Sequence, residues 1–253
     1  MAVVAAFANQ KGGVGKTTTA VNVSAYVAAM GHSVLLIDLD AQANASSALN
    51  RSAGGRPTIH EVLVRSMPMG AVITDTNIKG LDLLPSSSSL VAAEIELAPQ
   101  LGREYKLRKA LQEVEDRYEF VFIDCPPALN LLTVNAFTAA SDVFVPVQCE
   151  YLALEGLTEL LSSINLVRDH LNQHLALGGI ILTMFDSRTT LSREVEAEVR
   201  KHFAETLNAV VPRNVRLAEA PSHGAAILEY APASTAARAY SQVAVEILQR
   251  LAR

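Results

Sequence analysis

Cysteine is scarce in this sequence. The 253-residue chain has two, Cys125 and Cys149, too few for a disulfide framework. Neither belongs to a CxxC pair, which argues against a zinc site or a cluster held by paired cysteines. Buried thiols in a reducing compartment are the expected reading. Positive charge is not in excess either. Lysine and arginine total 21 against 26 aspartates and glutamates, for a formal net charge of -5. A dedicated nucleic-acid binder is usually basic overall, so any DNA contact has to come from a local patch. No apolar run reaches the ~18 residues of a membrane-spanning helix. The chain enters directly into the apolar segment Ala2 to Ala8, without the basic and longer apolar regions of a secretory signal. No Ser/Gly-rich linker separates two folding units. The one loop-like stretch is Asn50 to Pro57, with Gly54 and Gly55. A single domain over residues 1–253 is therefore expected.

Half of the residues are hydrophobic, enough for one large core. Val3–Phe7, Val34–Ile37, Phe120–Ile123, Val143–Val147 and Ile180–Met184 read as strands. Their unbroken apolar character suits a parallel sheet covered on both faces. Helical spacing follows over Thr17–Met30, where Gly31 supplies a stop, and over Leu131–Ala140, Glu155–Leu171, Ser192–Phe203 and Ala236–Leu251. The expected fold class is α/β, a mostly parallel twisted sheet with helices on both faces. Ligands of such sheets bind beyond the carboxyl ends of the strands. There the first three strands run into Asn9 to Lys16, Asp38 with Asp40, and Asp124.

The segment after the first strand reads Asn9-Gln10-Lys11-Gly12-Gly13-Val14-Gly15-Lys16-Thr17-Thr18. Gly15, Lys16 and Thr17 match the end of the phosphate-loop pattern GxxxxGK[ST], but its first glycine would fall at Gln10. Gly12 and Gly13, preceded by Lys11, take its place. Three glycines in four positions let backbone N–H groups turn inward as an anion nest. The following helix presents its positive end to the same place. Lys16 can reach the outer phosphates, and Thr17 offers a hydroxyl to Mg²⁺. Two lysines at a helix N-terminus are disfavoured by ~0.3–1 kcal/mol each unless an anion of several charges is bound. The chain thus reads as a P-loop NTPase.

Lys11 to Thr18 resembles the deviant Walker A box of the ParA/MinD superfamily of ATPases. The resemblance implies ATP and Mg²⁺ as ligands, held by Lys11, Gly12, Gly13, Val14, Gly15, Lys16, Thr17 and Thr18. It also implies a homodimer with ATP sandwiched between subunits, in which Lys11 reaches the partner's nucleotide.

Asp38 and Asp40, two apart at a strand end, point the same way if extended. With Asp124 they could hold Mg²⁺ and orient an attacking water. By resemblance, Asp40 in Asp38-Leu39-Asp40-Ala41-Gln42 takes the place of the residue that positions the hydrolytic water. Asp124 in Asp124-Cys125-Pro126-Pro127 takes the Walker B place. Lys11, Lys16 and Asp40 are the catalytic candidates, and Thr17, Asp38 and Asp124 the metal candidates. The family often has proline where Ala41 stands, a departure that removes no chemical group.

Within the superfamily, Val145-Pro146-Val147-Gln148-Cys149-Glu150-Tyr151 with Ala153-Leu154-Glu155-Gly156 resembles the ParA/Soj partitioning ATPases. So do Val211 to Leu217 and Glu219-Ala220-Pro221-Ser222-His223-Gly224. The family's adenine pocket falls at Thr183-Met184 and Pro212-Arg213-Asn214. The branch binds DNA without sequence preference as an ATP-loaded dimer. The candidate phosphate contacts are Arg188, Arg200, Lys201, Arg213 and Arg216, with Arg193 beside them. Arg193, Arg200 and Lys201 alternate with Glu194, Glu196 and Glu198, as on an ordinary solvated helix face. A ParB-type centromere-binding partner, accelerating slow hydrolysis through a basic peptide, is implied, as is a cytoplasmic, nucleoid-associated location. A MinD-like membrane-cycling ATPase stays open as an alternative, although the last helix has only Arg238, Arg250 and Arg253 as cations. So do a metabolic synthase of the same fold and a positioning ATPase for non-chromosomal cargo.

Overall fold

The computed structural model describes residues 2–150 and 153–252, and the side chains of all of these except 153–155. Tyr151 and the side chains of Ala153, Leu154 and Glu155, part of the partitioning-type segment, lie outside that description. Eight strands, β1 Val3–Phe7, β2 Val34–Asp38, β3 Thr74–Asp75, β4 Leu81–Leu84, β5 Phe120–Asp124, β6 Asp142–Gln148, β7 Ala176–Phe185 and β8 Thr206–Pro212, form one sheet. Their order is β3-β4-β2-β5-β1-β6-β7-β8. All neighbours are parallel except β3 and β4. The helices are α1 Lys16–Ala29, α2 Asn44–Ala48, α3 Ile59–Arg65, α4 Ala93–Leu97, α5 Lys106–Leu111, α6 Leu131–Ala139, α7 Ala153–His170, α8 Thr190–His202, α9 Val215–Glu219, α10 Ile227–Tyr230 and α11 Thr235–Leu251.

Strand alternation splits the apolar residues into two layers. Ala6, Leu35, Ile37, Val121, Ile123, Val143, Val145 and Ile180 face one core, shared with residues of α3 to α8. Phe7, Val34, Leu36, Phe122, Phe144 and Ile181 face the other, under α1 and α11. There the Phe7 ring lies 5.7 Å from Phe122 and 6.0 Å from Phe144. Tilted aromatic pairs of this kind each add about 0.5–1.5 kcal/mol beyond the area they bury. Small residues of α1, among them Ala20, Ser24, Ala25 and Ala28, are buried and let it lie close to the sheet.

The last helix packs rather than projects. Ser234 caps α11 through its Oγ, which accepts from the Ala237 amide at 3.1 Å. Ala236, Tyr240, Val243, Ala244, Ile247 and Leu251 bury its periodic apolar stripe against the second core. Among the described residues no helix is long and apolar enough to cross a membrane.

The five expected strands are all present, and the five expected helices end within two residues of their expected bounds. Three strands were not legible. β3 has only two residues, β4 carries Asp82 inside an apolar run, and β8 is an edge strand broken by Asn208 and closed by Pro212. Side chains cover that edge. Glu246 accepts from the amides of Asn208 and Ala209, each at 2.7 Å, while Arg200 donates to the carbonyls of Leu207 and Asn208 at 2.9 and 3.2 Å. Residues 51–57 carry no helix or strand, as the loop-like composition of Asn50 to Pro57 suggested.

Candidate functional site

The carboxyl ends of the central strands are level. Phe7 of β1 and Asp38 of β2 both pair in register with Asp124 of β5. From β1 the chain turns through Asn9, whose amide donates to the Pro146 carbonyl at 2.7 Å and whose Oδ1 accepts from the Lys11 amide at 3.0 Å. Gly13 and Gly15 then take φ of 77° and 87°, a region costly for residues with a Cβ. Val14 is buried between them, and its carbonyl accepts from Thr183 Oγ1 at 2.8 Å. Gly15 is the N-cap of α1. No side chain caps this helix, and its first turn holds no acid. The N–H groups at its start are therefore left for an anion.

A cavity of about 280 Å³ opens over this loop, lined by Gly12, Gly13, Lys16, Thr17 and Thr18, and opposite them by Asp40 and Pro127. Lys16 is 7% exposed, and its Nζ donates to the Lys11 carbonyl at 3.2 Å. Burial lowers the Lys16 pKa, and the charges of Asp124 and Asp40 oppose that shift. Lys11 is more open, with Nζ 3.7 Å from Glu150 Oε2.

The three acids do not behave alike. Asp40 lines the cavity and accepts from the Gln42 amide at 3.0 Å. Asp38 does not line the cavity. Its Oδ2 accepts from the amide and hydroxyl of Ser46 at 2.8 and 2.7 Å, and its Oδ1 from the Asp40 amide at 3.2 Å. The shared direction expected of Asp38 and Asp40 held only if the segment is extended; β2 ends at Asp38, whose carboxylate braces α2 through Ser46 while Asp40 lines the cavity. As a metal candidate Asp38 has both oxygens already engaged. Burial raises its pKa to about 6. Asp124 is fully buried, and neither oxygen has a well-formed hydrogen bond, the Thr17 hydroxyl being its nearest donor. Its pKa is pushed well up, first by burial and then by the charge of Asp38; the Thr17 hydroxyl and Lys16 pull it back. A buried carboxylate this poorly hydrogen-bonded is costly unless a cation joins it. Thr17 and Asp124 therefore fit a hard divalent cation placed beside the phosphates.

A second cavity of about 360 Å³ adjoins the first, sharing Gly15, Thr18 and Met184 with it. The expected Met184, Pro212, Arg213 and Asn214 line it, as do Val211, Val215, Leu217 and Tyr240. These last four come together through the packing of α9 and α11 over β8, which no local motif announces. Met184 has φ of 52°. The register beside it shifts, Leu182 pairing with Val210 and Phe185 with Pro212, so β7 holds one extra residue there. Such a bulge re-aims a side chain at the strand end. A mostly apolar slot opening onto an anion nest suits a base joined to phosphates.

The expected DNA contacts divide. Arg188, Arg213 and Arg216 are exposed at the carboxyl ends of β7 and β8, each with an acid in reach. Arg188 forks onto Asp186 at 2.9 and 2.7 Å, Arg213 lies 3.5 Å from Glu150, and Arg216 2.9 Å from Glu219. Arg193 and Lys201 are exposed on α8, where Lys201 lies 3.2 Å from Glu198. Arg200 is half-buried and occupied by Glu196 and the β8 edge. In this arrangement it holds the fold rather than facing outward.

Both thiols are buried, as expected, and burial raises the pKa of each, that of Cys149 to about 12. Among the described residues no cluster of His, Cys, Asp and Glu could hold a metal alone.

A family model described as an AAA domain matches residues 2–177. The sporulation initiation inhibitor protein Soj of Bacillus subtilis (strain 168) is 47% identical, with 98% of each chain covered. The chromosome partitioning protein ParA of Caulobacter vibrioides is also 47% identical, over 98% of this chain and 94% of its own. A crystal structure named cobyrinic acid a,c-diamide synthase, from Mycobacterium smegmatis with bound ATP analog and magnesium, superimposes with a TM-score of 0.87. It is 37% identical over 98% of this chain and 95% of its own. With near-complete coverage at 47% identity, this chain belongs to the Soj/ParA family of chromosome-partitioning ATPases.

Proposed function

We propose that the two joined cavities bind ATP with Mg²⁺, and that ATP state switches the chain between a free form and a DNA-bound dimer. The observation that carries the nucleotide reading is the uncapped α1 terminus under Lys16, beside the buried Asp124, which lacks a well-formed hydrogen bond. The loop amides and Lys16 take the phosphates, while Met184, Pro212, Arg213 and Asn214 border the base. Thr17 and Asp124 hold the cation, which neutralises charge on the phosphates. Asp40, facing the cavity, orients the attacking water. Among the described residues Lys16 is the one buried cation at the phosphate loop, so unaided hydrolysis is slow.

Dimerisation through the nucleotide face brings Lys11 to the partner's phosphates and doubles the set Arg188, Arg213 and Arg216. Each further phosphate neutralised steepens the salt dependence by ~0.9 in log–log slope, so a dimer can hold DNA where a monomer does not. A ParB-type partner stimulates hydrolysis and so releases the DNA. The protein then cycles on the nucleoid in the cytoplasm.

The test is retardation of a random-sequence duplex with Mg²⁺-ATP and, separately, Mg²⁺-ADP at two salt concentrations. ATP-dependent, salt-sensitive binding is expected. Equal binding in ADP would remove the switch. ATP-dependent dimers without DNA binding would move the reading to positioning of another cargo.

A further inference from the structure

Glu150 lies just beyond β6, between the phosphate loop and the end of β8. Its Oε2 is 3.7 Å from the Lys11 ammonium and its Oε1 is 3.5 Å from the Arg213 guanidinium. Gln148 Nε2 holds the same Oε1 at 2.5 Å and fixes where the carboxylate sits. One negative charge thus serves two cations, one on the phosphate loop and the other lining the base cavity. Lys11 follows β1, the neighbour of β6 on one side, and Arg213 follows β8, two strands away on the other; no other acid joins these two segments among the ion pairs of the described residues.

The geometry points to Glu150 as a positioning residue for nucleotide loading, one that holds Lys11 and Arg213 at rest and, before any dimer forms, gives them up to an incoming polyphosphate. This rests on the nucleotide reading above. The electrostatic reason is direct. An anion entering beside two cations gains from both, but here it competes with a carboxylate that already shares them. The pairs are half-exposed, so each is weak and easily exchanged, as a resting contact has to be. Removing the charge of Glu150 leaves two uncompensated cations at the rim of the site. The nucleotide then binds more tightly, and ATP gains more than ADP because it carries the greater charge. A merely structural Glu150 predicts the opposite, since its loss would loosen both segments and weaken binding.

The experiment titrates the full-length protein with a fluorescent ATP analogue and its ADP counterpart, at low and high salt. Steady-state kcat and KM are measured alongside. Glu150→Gln is expected to tighten ATP binding about two- to five-fold at low salt, the range of exposed ion pairs, with a smaller gain for ADP. High salt shrinks the gain, and Glu150→Asp, which keeps the charge, returns wild-type affinity. KM falls while kcat changes less. The inference is overturned if Glu150→Gln binds ATP no more tightly than wild type. It is also overturned if the gain survives in a Lys11→Ala, Arg213→Ala background. Should the wild-type protein bind neither nucleotide, the nucleotide reading and this inference fall together. Wild-type binding with an unchanged variant removes the inference alone.

Discussion

Thr183 Oγ1 donates a hydrogen bond of 2.8 Å to the carbonyl of Val14, tying the end of β7 to the middle of the phosphate loop across 169 residues of sequence. Thr183 is buried. Thr183→Val keeps the shape and removes the donor, leaving that carbonyl unsatisfied at a cost of about 1–3 kcal/mol. The melting temperature should fall by about 2–4 °C per kcal/mol for a chain of this size, and ATP should bind more weakly. Thr183→Ser retains the bond and should restore both, as read by calorimetry and nucleotide titration.

Gly12 and Gly15 separate two kinds of glycine requirement. A Cβ on either finds room, the nearest atom to Gly15 being Thr183 Cγ2 at 3.9 Å. Only Gly15 has positive φ, so Gly15→Ala should cost about 1–2 kcal/mol from backbone strain alone. Gly12→Ala should melt like wild type. If Gly12→Ala nevertheless loses ATP affinity, the loss reports a methyl group crowding the phosphates.

Asp124 should destabilise the metal-free protein in a pH-dependent way. Its pKa in the fold is raised above the ordinary carboxylate value. Whatever stability it permits is present below pH ~4 and is lost as pH rises through the raised value. Asp124→Asn does not titrate, so its advantage over wild type should be negligible near pH 4 and reach a few degrees of melting temperature by pH 8. Adding Mg²⁺-ATP should narrow the gap by stabilising the wild type alone. Melting curves across pH, with and without Mg²⁺-ATP, check both parts.

Arg188 and Arg216 should separate from Arg200 in a DNA titration. Substituting either of the first two by alanine should lower affinity and reduce the log–log salt slope by ~0.9 for each phosphate no longer neutralised. Melting should change little, since both are exposed and paired only locally. Arg200→Ala frees two carbonyls at the β8 edge and should lower the melting temperature with the salt slope intact. A slope change for Arg200→Ala without a melting change would reverse this assignment.

Lys16→Gln removes the buried ammonium that lies over the phosphate loop. A positioned charge of this kind supports about 10²–10³-fold in kcat. ATPase activity should therefore fall to that extent while the fold persists, which circular dichroism and steady-state turnover would check together.

The phosphate loop, the five apolar strands, the main helices and the family were legible in the sequence because they are local. Lys11 to Thr18 states its glycine turns, cations and helix start in eight consecutive residues, and unbroken apolar runs state buried strands wherever they occur. What needed the tertiary structure is whatever depends on which segments meet. Asp38 and Asp40 look equivalent two residues apart, yet Ser46 captures one and leaves the other facing the cavity. Val215, Leu217 and Tyr240 reach the base cavity only because α9 and α11 fold over the end of β8. Arg200 and Arg188 read alike as surface cations until the β8 edge claims the first. Glu150 gathers Lys11 and Arg213 from opposite ends of the chain. A side chain's type sets the chemistry available to it; its partners are set by the strand order, which no stretch of sequence carries by itself.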